Sequence, residues 1–206
     1  MSAIPTAASS DARRALALST FSFTVCFAVW TIFAIIGIQI KQQLSLTETQ
    51  FGLLVGMPIL TGSLVRIVLG IATDRVGGRA VYTLTMLAAA AATFLLSHAS
   101  TYPQMLLAAL GVGMAGGSFA VGVAYVSRFF DGTKQGTALG IFGVGNVGAA
   151  VTKFTAPFVM IAYGWQATAQ IWAGVLALTA ILFFLLSKDD PVPATRGRAR
   201  APLHDE

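Results

Sequence analysis

Apolar side chains fall into six long blocks along this chain, separated by short polar segments, rather than into the short periodic stripes of a soluble domain. A hydrocarbon core of about 30 Å is crossed by about 20 helical residues rising about 1.5 Å each. The blocks therefore predict six membrane-spanning helices, at about 16–40, 50–72, 80–97, 104–127, 136–161 and 166–186. Polar turns at 41–49, 73–79, 98–103, 128–135 and 163–165 connect them. Residues 1–14 read as a cytoplasmic tail, 15–187 as one transmembrane domain and 188–206 as a second cytoplasmic tail. The fold class is all-α, and little chain is left for a separate soluble domain.

Composition agrees with the pattern. Of 206 residues, 56% are hydrophobic and 10% charged, against roughly 25% charged in ordinary globular chains; mean hydropathy is +0.77. A net charge of +5 would suggest nucleic acid in a soluble protein, but here its placement matters more. Ten of the 13 Lys and Arg residues fall on one side of the six-span order, and in the loops of the other side only Lys41 does. The positive-inside rule then puts both termini in the cytoplasm, with the chain in the inner (plasma) membrane. Tyr102, Tyr163 and Trp165 fall at the opposite boundary, where interfacial aromatics are expected. The single cysteine, Cys26, lies within the first block and reads as a small buried hydrophobe.

Little points to enzymatic chemistry. Two segments match G-x-G-x-x-G, Gly111 to Gly116 and Gly143 to Gly148, but neither lies between a strand and a helix. No metal-ligand cluster, cofactor motif or nucleophile–base pair can be assembled. The 21 glycines concentrate in spans 2, 4 and 5, and the small-xxx-small pairs Gly113/Gly117 and Gly136/Gly140 predict close helix approach.

Two cations stand inside the apolar blocks, Arg66 and Lys153, while all eight acids fall in loops, tails or span ends. An arginine at the centre of a span costs roughly 2.5–3.5 kcal/mol and usually faces a cavity or pathway. A cavity lined by cations without carboxylates suits an anion. If the spans are two inverted three-helix repeats, spans 2 and 5 correspond, and each has glycines, a proline and a basic residue about 16 or 17 positions from its start. Asn146, the one asparagine, lies mid-span among glycines and can donate to an anion's oxygen.

The segment Gly70 to Arg79 resembles the span 2–3 signature of the major facilitator superfamily, carried here by Gly70, Asp74, Arg75, Gly77 and Arg79. By that resemblance Asp74 caps a neighbouring helix or pairs with Arg128, in a cytoplasmic gate that breaks and forms as two halves rock. Within the superfamily, Phe27-Ala-Val-Trp30, Leu64-Val-Arg66, Gly116-Gly-Ser-Phe119-Ala and Lys134 through Gly148 resemble the amino-terminal half of nitrate/nitrite porters. The resemblance implies that Arg66 and Asn146 bind the anion and that Phe119 and Phe27 wall the site. Lys153, Gly145 and Gly148 would line the anion pathway. It further implies alternating access in a twelve-span unit, proton-linked uptake or anion exchange, and a second six-span half from a homodimer or a separate chain. The alternatives are an anion-binding sensory or accessory protein, and a truncated half that does not transport. Residues 188–206 resemble the start of a central linker.

Overall fold

The computed structural model describes residues 9–191, which form helices α1 Ser9–Trp30, α2 Phe33–Gln43, α3 Glu48–Val76, α4 Gly78–Leu96, α5 Tyr102–Val112, α6 Met114–Ser127, α7 Gly132–Gly143 and α8 Gly148–Leu186. A 3₁₀ segment, Val144–Val147, links α7 to α8. Most of both expected tails, including Arg196, Arg198 and Arg200, lies outside the described residues.

By length and apolarity five helical stretches can cross a membrane, one of them the 55 residues Gly132–Leu186. That stretch is two spans. Gly164 at φ 82°, ψ 169° breaks the helix in a backbone region that side chains avoid. Span 1 is then α1 with α2, span 2 is α3, span 3 is α4, and span 4 is α5 with α6. Span 5 runs from α7 through residue 163, and span 6 is residues 165–186.

Several boundaries differ from expectation. The first helix begins at Ser9, so Asp11, Arg13 and Arg14 are helical rather than part of a tail. Span 2 starts at Glu48 because Thr47 and Gln50 form a reciprocal capping box. The expected seven-residue turn between spans 2 and 3 shrinks to Gly77, at φ 105°. Thr73 to Val76 complete α3, while Gly78 and Arg79 open α4.

The interior lies between α1, α4, α6 and span 6, where Cys26, Tyr82, Met86, Tyr125, Leu176 and Phe183 are buried. Spans 2 and 5 contribute least to it. Leu60, Leu64, Ile67 and Ile71 of α3, and Val144, Val147, Val151, Phe154, Phe158 and Ile161 of span 5, are exposed at alternating three- and four-residue spacing. Trp165 departs from its expected anchor role: it is buried and donates its Nε1–H to Gln43 Oε1 at 2.8 Å, joining the end of span 1 to the start of span 6. Tyr163 is exposed, and the Tyr102 hydroxyl donates to the Gln50 carbonyl.

The glycines divide into two groups. A Cβ on Gly113 would lie 2.7 Å from the Pro58 carbonyl oxygen, and one on Gly117 would lie 2.6 Å from Val65 and Leu69, so span 4 lies directly against span 2. Gly136 and Gly140, the other expected packing pair, have nothing within 4 Å of a built Cβ and mediate no contact among the described residues. Gly148 is the tightest site, with a Cβ there only 2.0 Å from the Thr24 carbonyl oxygen. Backbone cannot yield as a side chain can, so Gly148→Ala lowers the thermal midpoint of the chain in detergent, by roughly 2 kcal/mol or more of overpacking. Gly136→Ala is the control and leaves the midpoint level or slightly higher.

Candidate functional site

Three spans lose regular α-helix. Span 1 breaks at Thr31 and Ile32, where Ile32 N–H bonds the Val29 carbonyl in an i to i−3 turn. Span 4 breaks at Gly113, and span 5 tightens into 3₁₀ at Val144–Val147. Trp30 ends α1 beside the first, Gly116 follows the second by three residues, and Asn146 lies inside the third.

Arg66 lies beside the first two breaks. Its Nε–H donates to the Gly116 carbonyl at 3.2 Å, and its guanidinium carbon lies 5.8 Å from the Trp30 ring centroid and 5.7 Å from that of Phe119. It pairs with no carboxylate among the described residues. One of its five N–H donors is used by the backbone, and the four on the Nη nitrogens have no protein acceptor among the described residues. The two aromatic faces hold the cation without neutralising it, through the negative face of each ring. A planar guanidinium with spare donors and no counter-ion has the chemistry to accept a small oxyanion.

The aromatic wall is larger than the sequence indicated. Phe27 is half-buried and packs on Trp30 at 5.2 Å and on Phe23 at 5.6 Å, so it meets Arg66 only through these rings. Phe23 also stacks on Phe142 at 4.8 Å and meets Phe119 at 5.5 Å. Phe23 and Phe142 went unnoticed in the sequence because buried phenylalanines in an apolar block carry no distinguishing signal.

Asn146 is exposed within the 3₁₀ segment, and its Nδ2 donates to the Gly143 carbonyl at 2.8 Å. One amide proton thus serves the local backbone, leaving the second proton and the side-chain oxygen. Lys153, seven residues on and near the same helical face, is exposed and has no hydrogen-bonding or ionic partner among the described residues. The structure places Gly145 and Gly148, expected on the pathway, inside the contact between spans 1 and 5. Both are buried against span 1, where a Cβ would meet Phe23 at 2.4 Å and Thr24 O at 2.0 Å. Their role is to let spans 1 and 5 touch.

A second polar constellation lies at the end where spans 2, 3, 4 and 6 meet. Arg128 bonds the Asp74 carboxylate at 2.7 Å, the Asp190 carboxylate and the Thr73 carbonyl. Asp190, its side chain only 4% exposed, also accepts the Gly78 backbone N–H at 2.9 Å, at the start of α4. Arg79 donates to the Phe184 carbonyl at 2.7 Å, to Asp189 at 3.2 Å, and covers the Phe184 ring. The Tyr125 hydroxyl donates to the Lys188 carbonyl, and Lys188 pairs with Asp11. Arg75 is exposed with no partner among the described residues, and Gly70 has open space around it. The roles of Asp189 and Asp190 could not be seen in the sequence, where they read as solvated tail acids.

Comparison with known proteins places this geometry in context. The family model described as Major Facilitator Superfamily matches residues 18–204. The chain is 40% identical over 196 residues to the "Probable nitrate/nitrite antiporter NarK1" of Thermus thermophilus, covering 89% of this chain and 44% of that protein. It is 35% identical over 171 residues to the "Probable nitrate transporter NarT" of Staphylococcus carnosus (strain TM300), covering 83% and 44%. The chain thus spans about half the length of the curated relatives it matches. A bacterial homolog to the human lysosomal transporter Spinster, in inward-facing and unoccupied conformation, matches with a TM-score of 0.80 over 96% of this chain and 47% of its own. At 18% identity, that likeness shows the fold alone.

Proposed function

The chain belongs to the major facilitator superfamily, and from that premise we propose that it is one half of a secondary transporter for nitrate or nitrite, working by alternating access in a twelve-span unit. The observation that carries this reading is Arg66, held between Trp30 and Phe119 without a counter-charge. Nitrate is planar, monovalent and rich in acceptors. It fits a guanidinium fork for its oxygens and aromatic faces for its plane, with Asn146 supplying a further amide donor. Lys153, on the same face as Asn146, would attract the anion from the other side of the site.

The second half would cover the exposed apolar residues of spans 2 and 5, as a second copy of this chain or a separate one. The charge bias supports cytoplasmic termini in the inner membrane, and residues 188–206 would begin the linker between halves. The carboxylates of the described spans, Asp11, Glu48 and Asp74, lie in their end turns and none mid-span, which favours nitrate/nitrite exchange over proton-linked uptake. The Arg128, Asp74 and Asp190 cluster would act as the cytoplasmic gate.

The test is flux. Proteoliposomes containing the chain and loaded with nitrite are expected to take up labelled nitrate in exchange for nitrite leaving down its gradient, alone or with a partner half co-reconstituted. Saturable nitrate binding without flux under both conditions would replace the transport reading with that of an anion-binding membrane protein.

A further inference from the structure

Trp30 is the last residue of α1, next to the break in span 1, and its surroundings leave it almost no freedom. Its indole Nε1–H donates to the Pro58 carbonyl at 2.9 Å. Pro58, Gly62 and Arg66 follow one another at four-residue intervals and so form one stripe along α3. A Cβ on Gly62 would lie 3.0 Å from the indole nitrogen, and one on Gly116 only 2.6 Å from Trp30 Cε2. The indole is thus boxed between glycines of two spans, with the Arg66 guanidinium carbon 5.8 Å from its ring centroid. The same Gly116 that leaves room for the ring gives its carbonyl to Arg66 Nε–H.

From this arrangement we infer that Trp30 is a positioning residue for anion recognition: its indole, fixed by Pro58, sets the direction in which Arg66 presents its four Nη–H donors. The inference rests on the anion reading of Arg66 and extends it to a residue that need not touch the anion. Among side chains, only tryptophan combines a two-ring apolar face with a single N–H donor. Phenylalanine would keep a face for the cation but release the strut. Arg66 would then sample other rotamers, and each anion would have to reorder it on binding.

The experiment reads Arg66 without any anion. Chain labelled with ¹⁵N-arginine is placed in nanodiscs, and the Arg66 Nε–H signal is assigned by its disappearance in Arg66→Lys. In Trp30→Phe, hydrogen exchange of Arg66 Nε–H is expected to accelerate about three- to tenfold, as for loss of one interhelical hydrogen bond, and nitrate affinity to fall in step. The control is Trp172→Phe, which removes a comparable inter-span bond, Trp172 Nε1–H to Thr152 Oγ1 at 2.9 Å. It is expected to leave Arg66 exchange unchanged. Unchanged exchange in Trp30→Phe, or equal acceleration in both variants, overturns the inference.

If Trp30→Phe does not fold, a chain carrying Trp165→Phe and Trp172→Phe leaves Trp30 as its one tryptophan, excited selectively over the four tyrosines. Arg66→Gln in that background is expected to shift its emission, and an unmoved spectrum overturns the contact. Failure of the unmodified chain to bind nitrate would count against the transport reading alone, because the exchange and emission data need no anion.

Discussion

Arg66→Lys weakens nitrate binding by about ten- to a hundredfold and abolishes most uptake, although the charge in the site is unchanged. The expected factor corresponds to loss of one charge-assisted hydrogen bond, worth about 1.5–3 kcal/mol. Arginine meets three demands at once here: Nε–H bonds the Gly116 carbonyl, the plane lies near Trp30 and Phe119, and the Nη donors remain for a ligand. A lysine ammonium is a point charge with three donors and can meet only one or two of them. Isothermal titration of nitrate into the chain in nanodiscs, and initial uptake rates in proteoliposomes, measure the effect. Unchanged values in both would remove Arg66 from the site, and with it the main support for an anion substrate.

Arg128→Ala is expected to cost about 3 kcal/mol of stability, toward the lower end of values for breaking a buried ion pair. Arg128 is 16% exposed and Asp74 is 71% exposed, so solvent takes over much of the latter's charge. Asp190, at 4%, has no such recourse, and one of its oxygens, Oδ1, already lacks a partner. Removing the arginine strands a carboxylate whose remaining support is the Gly78 N–H. Asp190→Asn alone should cost less, because a neutral amide can stay buried and still accept from Gly78. The double variant should be more stable than Arg128→Ala, which a double-mutant cycle of thermal midpoints in detergent resolves. Additive losses would mean that the two side chains do not act as a unit.

The six spans were legible because a chain crossing hydrocarbon must be apolar over about 20 residues, and no other architecture spreads apolar residues so evenly. Arg66 was legible for the converse reason: a charge inside such a block is conspicuous. The structure shows what surrounds it. Trp30 and Phe23 could not be told from lipid-facing aromatics, because their importance lies in what they touch. The break at Thr31 and Ile32 has neither glycine nor proline to announce it, whereas the break at Gly113 is one of several glycines that looked alike. Gly113 and Gly136 are equal in sequence terms, yet the first lies against span 2 and the second against nothing described. Asp190 was hidden by its position after the last apolar block, where acids are ordinarily hydrated. Its burial follows from the chain turning back over α4, a tertiary event that local pattern cannot encode.

Two connections between spans consist of a single glycine, Gly77 and Gly164, both at positive φ. Neither has slack, so each ties the facing ends of its two spans together at one residue. The two hairpin tips differ in what they would carry across. The tip at Gly164 is flanked by Tyr163 and Trp165 and bears no charge, so translocating it is cheap. The tip at Gly77 would drag Asp74, Arg75 and Arg79 through hydrocarbon. At both tips the reversal depends on a residue without a side chain, because a Cβ would strain the positive φ.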